Sequence, residues 1–127
     1  MQNTLLVFLG GGLGAVLRHG VNINAARFLD ANFPWGTLAV NVLGSLAMGL
    51  LAGVFAARAQ DEWHQSARLF LMTGILGGFT TFSAFSLDAL ALWERGETAA
   101  ATAYVLGSVV LSVAGLGLGL AFVRHMS

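Results

Sequence analysis

Charged residues punctuate this chain rather than cover it. None occurs from Gln2 to Leu17, from Ala31 to Ala57, from Leu69 to Leu87 or from Thr98 to Val123. A helix needs about 20 predominantly apolar residues to cross the hydrocarbon of a bilayer. Three of these runs meet that length. The first stops at Arg18, but apolar character resumes as far as Phe28. The pattern therefore predicts four membrane-spanning helices joined by short segments at Arg27–Asp30, Arg58–Arg68 and Glu94–Glu97. Trp35, Trp63 and Trp93 fall near the predicted helix ends, where an amphipathic ring suits the headgroup zone. Pro34, the only proline, stands where it would open the second helix. The N-terminus lacks a basic stretch, so it reads as the first span and not as a cleaved signal.

Composition agrees. Of the 127 residues, 57% are hydrophobic and 9% charged, and the mean hydropathy is +0.78. Soluble domains carry about 25% charged residues, so this chain cannot cover a water-facing surface. It forms one domain, residues 1–127. Six arginines balance six acidic residues, which removes the electrostatic footprint of a nucleic-acid binder. Cysteine and lysine are both absent, which excludes disulfides, thiol chemistry, a Walker A loop and a Schiff base. His19, His64 and His125 lie in separate end regions with no ligand spacing, and no organic cofactor is expected. Four spans place Arg58, Arg68 and Arg124 on one side, and Arg27, Arg95 and at most Arg18 on the other. Basic residues normally collect on the cytoplasmic side. Here they do not, and the balance predicts dual topology, with copies inserted both ways and paired as an antiparallel homodimer.

The 17 glycines concentrate inside the spans. Gly10/Gly14, Gly49/Gly53, Gly74/Gly78 and Gly115/Gly119 have the spacing that lets helix backbones approach closely in lipid. Gly10, Gly12 and Ala15 match a dinucleotide fingerprint, but that motif needs a preceding strand and a solvated phosphate pocket. The segment Gly74 to Phe85 is different. Paired glycines are followed at once by Thr80, Thr81 and Ser83 among three phenylalanines. Glycine weakens a helix, and hydroxyls compete for its backbone carbonyls. A break in the third helix is expected near Gly77–Thr81. Freed carbonyls there suit a cation, as in discontinuous transporter helices.

A set of neutral polar groups could form a path. Asn41 is costly in hydrocarbon unless it bonds another helix or lines a cavity. Tyr104, Ser108 and Ser112 recur every four residues and share one face. Phe82 and Phe85 share another; they are either core aromatics or ring edges whose positive charge can meet an anion. Arg18 is a basic residue that either lies within a span or snorkels to the interface. Asp88 reads as an interfacial or paired carboxylate.

These residues resemble the Fluc (CrcB) fluoride-channel family along essentially the whole chain. The signatures stand here as Gly14-Ala15-Val16-Leu17-Arg18, as Gly36 to Asn41 with Gly44, and as Gly74 to Phe85. The resemblance implies an antiparallel homodimer in the bacterial inner membrane that lets cytoplasmic fluoride leave passively. It implies an anion pore from Asn41, Phe82, Ser83, Phe85, Tyr104, Ser108 and Ser112, with Arg18 at an aqueous vestibule. It further implies a structural sodium ion at the dimer centre, held by the backbone carbonyls of Gly77 and Thr80. The family usually has Thr where this chain has Ala84, so one hydroxyl beside the aromatic pair is missing, and altered rate or selectivity is expected. The rival reading is a small proton-coupled multidrug exporter, which needs a membrane-embedded carboxylate. The first span has no Asp or Glu, and Asp88 lies near a helix end. No nucleophile–base constellation points to an enzyme.

Overall fold

A computed structural model describes residues 1–56 and 62–126. It is all-helical, with four segments long and apolar enough to cross a membrane: Gln2–Phe28, Trp35–Ala56, Trp63–Glu94 and Thr98–Met126. We label Gln2–Phe28 α1 and Trp35–Ala56 α2. The third span has two parts. The first, α3, begins as Glu62–Arg68, continues as a π-helix over Leu69–Leu76 and ends in the turn Gly77–Phe79. The second, α4, covers Phe82–Glu94, and the last span, α5, covers Thr98–Met126.

The α2 start follows the proline. Pro34 has no N–H to leave unsatisfied at a helix start, and its carbonyl accepts the Leu38 N–H at 3.2 Å. The turn before α5 needs a left-handed residue, and Gly96 supplies it at φ 82°. Arg95 ties that turn down by donating to the Asn32 carbonyl and to Glu97, at 2.8 and 2.9 Å. Trp35, Trp63 and Trp93 are all exposed at element ends. One boundary differs from expectation. The segment Arg58–Arg68 is not a loop throughout, because from Glu62 onward it is helical and leads directly into the third span. Residues 62–68 contain no glycine or proline, and helix propensity continues past the apolar boundary that charge alone would suggest. Arg58 lies outside the described residues.

Glycine sets the packing. A methyl group built on Gly10 would meet the Phe70 carbonyl oxygen at 2.6 Å, and one on Gly14 would meet that of Ile75. That seam joins α1 to α3. A second seam joins α2 to α5, where a methyl group on Gly119 would lie 2.6 Å from the Leu46 carbonyl oxygen. Close backbone approach of this kind drives helix association in lipid, where apolar side chains gain nothing by leaving one apolar phase for another. The side-chain core is correspondingly small. Phe85, Leu92, Ala101 and Tyr104 form it where α4 leans on α5. Long apolar side chains on every helix face outward, among them Phe8, Val16, Leu87, Val113 and Phe122.

Candidate functional site

The third span leaves the helix at two residues. Gly77, Gly78 and Phe79 remain helical, whereas Thr80 has ψ 157° and Thr81 lies at φ −153°, ψ 119°. The glycines are therefore not the non-helical residues; the β-branched threonines, which favour extended backbone, are. Thr80 closes α3, with its N–H and hydroxyl both donating to the Leu76 carbonyl at 3.0 Å. Thr81 opens α4, its Oγ1 accepting the Ala84 N–H at 3.1 Å as a helix N-cap.

Asn41 completes this junction from α2. Its Oδ1 accepts the Thr81 N–H at 2.8 Å, and its Nδ2 donates to the Thr81 carbonyl at 3.1 Å. One side-chain amide thus serves both ends of a peptide that has left the helix. Unpaired, those groups would cost about 1–3 kcal/mol each. In an unbroken helix the Thr81 N–H would bond the Gly77 carbonyl; here Gly77 loses that partner. The Asn41 amide keeps a second N–H.

Beside the junction lies a cavity of about 420 Å³, lined by Asn41, Ser45, Phe82, Phe85, Ser108 and Ser112 among others. It is open to the surroundings of the chain and not enclosed. Phe85 is buried and Phe82 is 78% exposed, their ring centroids 5.4 Å apart and tilted by 49°. The Ser108 hydroxyl is buried, and it has no hydrogen-bond partner. Behind Phe85 stands Tyr104, its ring 5.2 Å away and 1% exposed. Phe33 meets Tyr104 edge-on at 5.5 Å, and the Tyr104 hydroxyl donates to Asp88 Oδ2 at 3.3 Å. Asp88 is thereby a paired carboxylate.

The structure brings Asn41, Phe82, Phe85, Ser108 and Ser112 to one cavity. Tyr104 packs behind Phe85 instead. Ser83 is exposed and sits 3.3 Å from the Thr81 hydroxyl, outside the cavity lining. Arg18 is half-buried within α1, away from the cavity. Ala84 lines a separate cavity with Thr37 and Asp88, so the hydroxyl it lacks would face that side and not the Asn41 side. Two further polar residues of the lining, Thr81 and Ser45, carry weaker sequence signals. Thr81 is one hydroxyl among several in its segment, and a threonine just before a helical stretch is a preferred N-cap residue. Ser45 stands four residues after Asn41, a spacing that places it on the same helix face.

Comparison with known proteins gives a consistent picture. Residues 5–120 match the family model described as CrcB-like protein, Camphor Resistance (CrcB). The chain is 61% identical over 125 residues to the fluoride-specific ion channel FluC of Methylobacterium nodulans, covering 98% of both chains. It is 58% identical over 128 residues to the fluoride-specific ion channel FluC 2 of Nitrobacter hamburgensis, covering 99% of this chain and all of the relative. The protein of the same name from Paracoccus denitrificans, FluC, is 58% identical over 127 residues.

Proposed function

The chain belongs to the CrcB family and has four helices long and apolar enough to cross a membrane, and from that premise we propose that it is a fluoride-selective channel of the bacterial inner membrane. Fluoride enters cells as HF when the outside is acidic and dissociates in the more alkaline cytoplasm. A passive anion path driven by the membrane potential lets it out. No bond is made or broken and no energy source is coupled, so the reading requires a path, not an active site.

The observation that carries it is the buried Ser108 hydroxyl without a partner, facing a cavity shared with Asn41 and the phenylalanine pair. A buried polar group left unpaired is costly, and a passing anion or its water would satisfy it. The donors suit fluoride. Asn41 offers its remaining N–H, Ser108 and Ser112 offer rotatable hydroxyls, and Phe82 and Phe85 offer ring edges. All are neutral, so the ion is bound without being trapped. The family resemblance would extend the path past this cavity to Tyr104 and Ser83, which do not line it, and would put Arg18 at the vestibule.

The functional unit is an antiparallel homodimer. The cavity is open to the surroundings of the chain, and the extended Thr80–Thr81 backbone lies at membrane depth, where lipid offers no hydrogen bonds. A second copy would cover both. Gly77, having lost its Thr81 donor, and Thr80 at the extended turn fit a sodium ion shared between subunits and bound through backbone carbonyls. When bound, that ion would neutralise carbonyl charge at the centre; the chain's own part is to present those oxygens, which Asn41 achieves by holding Thr81 off the helix.

Liposomes containing the protein, potassium fluoride and potassium chloride test this on addition of valinomycin. Fluoride should leave while chloride stays, and Phe82→Ala or Asn41→Ala should abolish the loss. Loss of both ions would remove the selectivity. Retention of both, with fluoride movement only under an imposed proton gradient, would favour a coupled carrier.

A further inference from the structure

Some hydroxyls in these spans bond their own helix. Thr80, Ser86 and Thr102 each donate to the carbonyl four residues back, at 3.0, 3.0 and 2.9 Å, the usual resort of a hydroxyl in a membrane helix. Three serines, Ser45, Ser108 and Ser112, line the cavity instead, and the buried Ser108 hydroxyl has no hydrogen-bond partner. Two are on α5, and their stripe runs out. The next residue on that face, Leu116, is apolar and also lines the cavity.

The register between α2 and α5 shows what stands opposite. A methyl group on Gly115 would lie 3.6 Å from the Val42 carbonyl oxygen and 3.8 Å from Leu46, while Gly119 faces Leu46 and Leu50. The two helices therefore rise together, with Asn41 level with Ser112 and Ser45 level with the turn that follows. A step of four residues is about 6 Å along a helix. Over that step Leu116 offers an anion no donor, and Ser45 is the polar side chain on the facing wall.

We propose that Ser45 is a further anion-contacting residue of the pathway, taking over from Ser112 and carrying the hydroxyl path one turn further from the opposite helix. The proposal rests on the fluoride-channel reading. An anion that has shed water needs a replacement donor at each step. Alternation between α5 and α2 provides one without adding a charge. The Ser45 hydroxyl rotates about a single bond and lines the cavity, so it can turn toward an ion there.

The test is fluoride efflux from liposomes containing the full-length protein. Ser45→Ala should lower the rate about tenfold, the effect of removing one hydrogen bond to a charged group. Ser45→Thr, which restores the hydroxyl, should recover most of the rate. Ser86→Ala, which removes a hydroxyl bonded to its own helix, should leave the rate unchanged. Ser45→Gly removes the hydroxyl without adding volume and should match the alanine variant even if a larger side chain perturbs assembly. Wild-type flux in both Ser45→Ala and Ser45→Gly would overturn the proposal, as would a Ser45→Thr rate no better than alanine. A wild-type protein that passes no fluoride would overturn the channel reading itself, and Ser45's role with it.

Discussion

The α1–α3 seam and the α2–α5 seam are built alike and end differently. In both, glycines bring one helix so near another that an added methyl group would strike a carbonyl oxygen, Phe70 and Ile75 in the first, Leu46 and Leu116 in the second. The first seam is closed by backbone on both sides, since a methyl group on Gly78 would meet the Gly11 carbonyl oxygen. The second borders a cavity that Phe85 and the Thr80–Thr81 turn also line, with Ser45, Ser108 and Ser112 on its helices and the buried Ser108 hydroxyl without a partner. Glycine spacing therefore explains assembly in both places and function in neither. The difference arises from the Asn41–Thr81 pairing, which holds the third span open beside α2 but not beside α1.

The comparison can be broken most severely at the closed seam. Gly14→Leu would place a side chain into the Ile75 carbonyl and the Phe79 backbone. Overpacking of this kind costs about 1–3 kcal/mol or more, and with backbone on the receiving side the upper end is expected. Size-exclusion chromatography in detergent should show aggregation, and efflux should be lost with the fold.

Next in size is Asn41→Ala. It leaves the Thr81 N–H and carbonyl without partners, at about 3 kcal/mol for the pair. A lower midpoint of thermal unfolding in detergent should accompany the loss of efflux. Aggregation comparable to the Gly14 variant would mean that the junction organises the whole bundle rather than one cavity.

Ser108→Ala sharpens the contrast by separating stability from flux. Removing a buried hydroxyl that has no partner should leave the unfolding midpoint unchanged or slightly raised, since no bond is lost. Fluoride efflux should nevertheless fall about tenfold if the hydroxyl is used by the ion. A fall in both would instead make Ser108 a packing residue.

Much of this architecture was visible in one dimension, because lipid imposes a rule that a sequence must obey locally. Uncharged runs near 20 residues have few alternatives to spanning helices, and all four appear. Glycine spacing likewise announced close helix contacts at Gly10, Gly14 and Gly119. The helical start at Glu62 was less legible, since charge marks where the membrane ends, not where a helix does. Paired glycines and the hydroxyls after them point to Gly77–Thr81, and the residues off the helix, Thr80 and Thr81, fall at the hydroxyl end of that range. The cavity was legible only as separate hints. Spacing aligned Ser108 with Ser112 and Phe82 with Phe85, but each periodicity describes one helix alone.

Hydropathy, glycine spacing and the absence of Lys and Cys follow from residue identity at each position, so they settled the membrane class and the excluded chemistries without coordinates. Which hydroxyls are spent and which remain available did not. Asn41 could have bonded any neighbour, and Tyr104 could have joined the serines on its own face. Those outcomes depend on which helices meet and at what register. Hydrogen bonding is a pairwise property of groups 40 or 16 residues apart, and only the packed bundle assigns the partners.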